Sequence, residues 1–433
     1  MDNRVKRWKE EYESLPRHTH LPIDHFITYF DAINSIGVTE AGGNSRFPYT
    51  SEYRTAIEAV KKWMRAIGMS VHEDAIGNVY GKVKGINTHK SLMLGSHIDT
   101  VPNGGMFDGL LGVLSALSAV ESFIERNGMP KWSIEVAVFA DEEGSRFNHG
   151  LLGSRAMIGE INEDALHTYQ DDEGTTIAEA MKADGLNPDE LKSAERDMNE
   201  FIGYLELHIE QGLVLEKNKQ QIGVVEGIAG PARETFTFIG SADHAGNTPM
   251  TMRQDALIGA SELITTIEQL PSKYSETAVA TVGKIINAPN GTNVVAGKTT
   301  VTVDIRDIDR DAREKLIDAI KTNATRIAEK RGLALKNSNS IRVEPVHMND
   351  RMTNMIEEST NELNLTYRRM PSGAGHDAML LGKKIPTGMI FVPSKNGKSH
   401  TPEEWTSLSE CLDGILVMER TLGKILSSYK EDS

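Results

Sequence analysis

At 433 residues, with 39% hydrophobic and 25% charged side chains, the sequence has the composition of a folded chain that buries a full core, and its length points to two domains. A formal charge of −15 argues against a basic nucleic-acid surface, and no stretch reaches the roughly 18 to 20 continuous apolar residues of a membrane span. The opening residues lack an apolar signal segment, so a cytoplasmic location is expected; the single Cys411 leaves His, Asp and Glu as the only ligands for a metal.

In chain order, helical apolar spacing is expected over residues 23–36 and 51–67. GNVYGKV and SLMLGSH then read as short strands, GLLGVLSALSAVESFIERNG as a helix, and SIEVAVFADEEG as a strand that ends in acids. Such alternation implies a mixed or parallel α/β sheet covered on both faces, with ligands gathered beyond the carboxyl ends of its strands. Residues 163 to about 200 are polar and read as a surface excursion. From 226 to 342 the pattern changes to strand, helix, two strands and helix (RETFTFIGS, QDALIGASELITTIEQL, AVATVGKII, KTTVTVDIRDI, REKLIDAIKTNATRIAEKRG), which predicts an inserted α+β, ferredoxin-like unit. Residues 1–225 and 343–433 are then one discontinuous main domain.

Polar chemistry collects at the ends of the apolar segments. His97 and Asp99 in SHIDT are two apart on a strand end and share a face, so the carboxylate can hold the imidazole tautomer that offers a lone pair to a metal. Asp108 follows Gly104 and Gly105 and starts a helix, where it is either a ligand or an ordinary N-cap. Asp141, Glu142 and Glu143 close the next strand; neighbours there point in opposite directions, so Glu143 can bind a metal while Glu142 faces its water, unless the stretch is a solvated acidic loop. His208 shares a strand face with Glu210, and His400 sits on a glycine-bearing loop before Thr401 and Pro402. Three histidines, one aspartate and a Glu-Glu pair supply the ligands of a carboxylate-bridged dinuclear site, which lowers the pKa of water beside a carboxylate able to take its proton. Within the inserted unit stand His244, Asn293 and Arg306; Arg306 either pairs with Asp304 on its own strand face or offers its planar fork to a substrate carboxylate. His376 follows small residues that let a ligand approach the backbone. The remaining histidines, His18 among them, lie in polar contexts and receive no role.

The motifs GSHIDTVPNGGMFDG, DEEGSRF, ELHIEQG, DHAGNTPM, NVV, DIR, SGAGHDA and MIFVPS, in that order, resemble the hydantoinase/carbamoylase branch of the dinuclear aminoacylase and carboxypeptidase superfamily. The likeness covers the chain from about AGGNSRFPYT to SHTPEEW. It implies a metallopeptidase-like catalytic domain with an inserted lid and dimerisation domain, and hydrolysis of an N-carbamoyl-L-amino acid or allantoate, with aminoacylase or dipeptidase activity less favoured. It implies that His97, Asp108 and His208 hold one divalent ion and Asp108, Glu143 and His400 a second, as Mn²⁺ or Zn²⁺, with Co²⁺ or Ni²⁺ also compatible. Histidine at 208, where peptidase relatives carry a carboxylate, points to the carbamoylase branch. Glu142 would be general base and acid, Asp99 would orient His97, and His244 would stabilise an oxyanion. Arg306 would clamp the carboxylate of a small ureido acid, with Gln211, Asn293 and His376 as further contacts. A homodimer through the inserted domain is expected.

Overall fold

The computed structural model describes residues 3–14 and 20–430; His18 lies outside them. The strands are β1 (Ser70–Glu73), β2 (Val79–Val83), β3 (Asn87–His97), β4 (Trp132–Phe139), β5 (Phe201–Ile209) and β6 (Ile222–Ile228). They continue as β7 (Gly230–Ile239), β8 (Val279–Ala288), β9 (Lys298–Asp307), β10 (Ala334–Arg342), β11 (Val346–His347), β12 (Tyr367–Ser372) and β13 (Thr387–Val392).

Two compact units divide the chain. The first comprises Met1–Glu226, Met348–Met370 and His376–Ser433, and the second Gly227–His347 and Pro371–Gly375. The second unit therefore extends past the expected limit at residue 342, and it also takes in a short segment near residue 373 that no composition change marks.

In the first unit the strands run in the order β1-β2-β4-β3-β5-β13-β6, with β12 also paired to β6. The four central strands, β4, β3, β5 and β13, are mutually parallel. They are buried throughout β4, β5 and β13 and in the last seven residues of β3, as parallel strands covered on both faces must be. The chain steps from β3 to β4 on one side and then returns to β5 on the other, so the sheet's topological switch lies between the ends of β3 and β5. Helix Leu110–Asn127 leaves from that point and is buried along its first thirteen residues. Helix Leu408–Ser428 belongs to the same core and opens with a capping box between Ser407 and Glu410.

Residues 163–200 are less superficial than their polarity implied. Short helices Glu163–Thr168 and Ile177–Ala183 bury Leu166, Ile177 and Met181 with Tyr49, Ile76, Phe147 and Leu152 in a small core of their own. The apolar residues are too widely spaced there to show a period, yet they converge in space.

The second unit has the order β7, helix Ala256–Glu268, β8, β9, helix Arg310–Arg331, β10, with sheet order β10-β7-β9-β8, the ferredoxin-like arrangement. Alternate residues of β7 and β9 pack with both helices around Phe236, Phe238, Val301 and Leu316. The strand missing from the expected list, β10, is an edge strand of mostly exposed polar residues, so apolar alternation never announces it. Among the described residues, no helix is long and apolar enough to cross a membrane.

Candidate metal centre

His97 ends β3, and its Nδ1 lies 3.2 Å from the Asp99 carbonyl and 3.4 Å from Asp99 Oδ1. Carbonyl and carboxylate oxygens only accept, so Nδ1 carries a proton, and Nε2 is the nitrogen that bears the lone pair whenever the ring is neutral. His208, near the end of β5, is set the same way: Nδ1 donates to the Ile209 carbonyl at 2.9 Å. Both Nε2 atoms converge on Asp108 Oδ1, at 3.6 Å from His97 and 3.2 Å from His208. The other oxygen of Asp108 faces His400 Nε2 at 3.4 Å, and that same nitrogen is 3.5 Å from Glu143 Oε1. Two groups able to hold a cation result, His97/Asp108/His208 and Asp108/Glu143/His400, with Asp108 common to both.

The turn between His97 and the helix allows this convergence only with glycine at 109. Its φ of +63° disfavours other residues, and a Cβ there would lie 2.3 Å from the His97 ring. Asp108 is not an N-cap, because the helix is preceded by Gly109 without a side-chain cap. Its Oδ2 instead accepts from Gln211 Nε2 at 2.6 Å and Ser399 Oγ at 2.8 Å.

Asp99 does more than orient His97. Its carboxylate accepts from the backbone N–H of Glu142 at 3.3 Å and of Glu143 at 3.0 Å, which fixes the acids beyond β4 against the end of β3. Glu142 Oε2 then stands 3.6 Å from His97 Nε2, outside both groups. Burial pushes its carboxyl well above the usual range; the charge of His97 opposes this and the neighbouring Glu143 adds to it. Glu143 is pushed up to about 8, by burial and then by Asp108. Burial would raise Asp108 too, but the charges and hydrogen bonds of His208, His400 and His97 outweigh it and hold Asp108 well below the carboxylate range. His400, half exposed, is drawn up to about 9, chiefly by its hydrogen bond to Asp108.

These residues fit divalent cations. The donors are imidazole nitrogen and carboxylate oxygen, the Nε2 atoms of all three histidines face the shared Asp108 carboxylate, and Glu143 Oε1 is buried without a hydrogen bond from any described residue. A divalent cation would supply the missing partner and offset the clustered carboxylates.

The other expected site residues fall into two places. His376, buried in the first unit, has its ring centroid 4.5 Å from that of His208 and is kept neutral by burial and by that neighbour. Gln211 is tied to Asp108 rather than pointing away from the centre, and its φ of +57° keeps it on a tight turn after β5. In the second unit, His244 pairs across a bridge with Val294, beside Asn293. His244 Nδ1 accepts from the N–H groups of Gly246 and Asn247 at 3.1 and 3.2 Å, so Nε2 bears the proton and is presented as a donor. Arg306 makes the pairing its strand face suggested, Nε to Asp304 Oδ1 at 2.7 Å, and also donates to the Gly373 carbonyl at 2.8 Å. Glu210 has no part in the centre: its carboxylate accepts from Val214 and Leu215 N–H and fixes the helix that follows.

Sequence reasoning missed three contributors. Arg46 is fully buried; its Nε donates to the Ile98 carbonyl and its N–H to Thr100 Oγ1, bracing the strand end on either side of Asp99. Ser399 and Glu404 flank His400 and reach the Asp108 turn. Their only sequence signal was a place within the span of the likeness, which closes on SHTPEEW.

The model of the peptidase family M20/M25/M40 matches residues 93–424, which contain both groups. The chain belongs to this family. Within M20 it is 39% identical over 400 residues, 92% of this chain and 96% of the relative, to an N-carbamoyl-L-amino-acid amidohydrolase of Pseudomonas sp. (strain NS671). It is 37% identical over 385 residues, 88% of this chain and 93% of the relative, to the allantoate amidohydrolase of Escherichia coli (strain K12). A crystal structure of a hydantoinase/carbamoylase family amidase from Burkholderia multivorans superposes with a TM-score of 0.87 at 30% identity, covering 94% of this chain and 98% of that one. This M20 chain is thus a hydrolase of carbon–nitrogen amide bonds of the hydantoinase/carbamoylase kind.

Proposed function

We propose that the protein hydrolyses the terminal ureido C–N bond of an N-carbamoyl-L-amino acid, releasing ammonia, carbon dioxide and the L-amino acid. The observation that carries the reading is the pair of three-residue groups sharing Asp108, with the buried Glu142 beside them but in neither. Likeness over almost the whole length to an N-carbamoyl-L-amino-acid amidohydrolase supports the choice of substrate.

His97, Asp108 and His208 would hold one divalent ion, and Asp108, Glu143 and His400 the other, as Mn²⁺ or Zn²⁺. When bound, the ions polarise the ureido carbonyl and make water acidic enough to be deprotonated near neutral pH. Glu142, which belongs to neither group and stands 3.6 Å from His97 Nε2, would take a proton from the attacking water at its carboxylate and deliver it to the departing nitrogen. The water oxygen bonds to the ureido carbon, the bond to the terminal nitrogen breaks, and the carbamate left on the amino acid loses carbon dioxide. His244 donates from Nε2 to the oxyanion, and Arg306 orients the substrate carboxylate with Asn293, Gln211 and His376. A homodimer through the second unit is part of the reading: β8 is an edge strand with Val279, Ile285 and Ile286 about half exposed.

Allantoate is the second candidate, favoured by the 37% identity to an allantoate amidohydrolase. Ammonia release from manganese-reconstituted protein, with N-carbamoyl-L-methionine and allantoate side by side, tests the choice. A higher kcat/KM on the carbamoyl amino acid is expected; a large preference for allantoate moves the assignment to that substrate, and inactivity on both overturns it.

A further inference from the structure

We infer that Glu404 is a positioning residue whose carboxylate locks the Asp108 turn to the His400 loop and thereby sets the second of the two cation groups. The inference rests on the metal centre of the proposed function, but not on which substrate is cleaved.

Glu404 is 1% exposed. Its Oε1 accepts from two successive backbone N–H groups, Phe107 at 2.7 Å and Asp108 at 3.0 Å, across nearly three hundred residues of sequence. Ser399 completes the connection: its Oγ lies 2.8 Å from Asp108 Oδ2 and 3.0 Å from Glu404 Oε2. Glu404 also donates its own N–H to the Thr401 carbonyl at 3.1 Å, closing the turn that follows His400. One side chain thus grips the backbone of the shared carboxylate, the serine in contact with that carboxylate, and the loop that carries the last imidazole.

The glycine pair before Asp108 gains a reason from this arrangement. A Cβ on Gly105 would lie 2.1 Å from Glu404 Oε1, so position 105 has no side chain because the carboxylate occupies that space. The turn and the glutamate are complementary features of the sequence.

The two groups depend on this grip unequally. His97 and His208 stand in buried parallel strands, with each ring held by its own local hydrogen bond. His400 is half exposed, with φ at +58°, a conformation that L-residues hold only when their surroundings impose it. Releasing Glu404 frees the loop of His400 and one side of Asp108 while leaving both strand histidines in place. Loss of a group that orients ligands typically weakens metal affinity about 10–100-fold, and here the weakening falls on the Asp108/Glu143/His400 group.

The test is calorimetric titration of metal-free, full-length protein with manganese chloride, for wild type, Glu404→Ala, Glu404→Gln and Ser399→Ala, with Tm measured alongside. Wild type is expected to bind two equivalents. Glu404→Ala should keep the first within about threefold and weaken the second by at least about tenfold. Glu404→Gln should restore the second, because the amide oxygen still accepts from both N–H groups and the amide nitrogen donates to Ser399. A Glu404→Ala protein with both equivalents unchanged overturns the inference, as does equal weakening of both steps accompanied by a lower Tm, the mark of a purely structural role. If Glu404→Ala does not fold, Ser399→Ala decides: selective weakening of the second equivalent upholds the inference and an unchanged isotherm overturns it. Fewer than two equivalents in wild type would overturn the two-ion reading itself, a failure visible without any variant.

Discussion

Replacing Glu142 by Gln separates proton transfer from metal binding. The change keeps shape and volume, and Glu142 belongs to neither cation group, so the variant should retain the metal content of wild type. What it removes is a carboxyl whose Oε2 lies 3.6 Å from His97 Nε2 and whose side chain is only 9% exposed. Positioned acid–base groups contribute roughly 10²–10⁴ to rate, so kcat should fall by that factor, equivalent to about 3–5 kcal/mol in the barrier, with KM changed less than about threefold. Folding should not suffer. Burial and Glu143 both disfavour the ionised form of Glu142, so the Tm of the metal-free variant at pH 8 should equal or slightly exceed that of wild type. The assay is steady-state ammonia release with metal content measured on the same preparation. Wild-type kcat with normal metal would refute the role of Glu142; metal lost in proportion to activity would instead make it a ligand.

Metal-free protein should lose stability as pH rises. Glu143 is raised from 4.5 to about 8 and His400 from 6.5 to about 9, so the folded chain holds protons that the unfolded chain gives up at lower pH. Their contribution is complete below the unfolded values and disappears as pH climbs through the folded ones; Tm of the chelated protein should fall between pH 6 and 9, manganese should flatten the decline, and a rising Tm would contradict the cluster's electrostatics. Asp108→Asn should lower occupancy of both ions because both groups use its carboxylate, whereas His400→Ala should spare the first, as elemental analysis after dialysis would show. Gly109→Ala forces a Cβ to 2.3 Å from His97 at a φ of +63° and should cost on the order of 1–3 kcal/mol in denaturant unfolding while weakening metal binding.

The centre was legible in the sequence to the extent that its residues end apolar strands. His97, Glu143 and His208 follow or close buried runs, and Gly104 and Gly105 before Asp108 showed a tight turn. What stayed hidden depends on contacts between distant segments. Glu404 and Arg46 act through backbone groups some 297 and 52 residues away, and no local period encodes such a partner. The polar edge strand β10 and the small core around Phe147 were missed for a related reason: one has no apolar alternation, and the other assembles single apolar residues from several short elements. Asp108 was ambiguous between ligand and helix cap because both uses place an acid before a helix; only the partners of its side chain distinguish them.

The order in which the centre's residues occur along the chain has a kinetic consequence. His97, Asp108, Glu143 and His208 all precede residue 210, but His400 comes only after β13, which pairs in parallel with β5 across almost two hundred residues. Parallel pairing at such separation requires closing long loops first and is slow to form. During synthesis, therefore, a nascent chain presents four of the five side chains long before the fifth exists, and a cation captured then meets an incomplete centre. Full loading requires the segment that carries His400, and metal occupancy in refolding experiments should lag behind the recovery of helical signal.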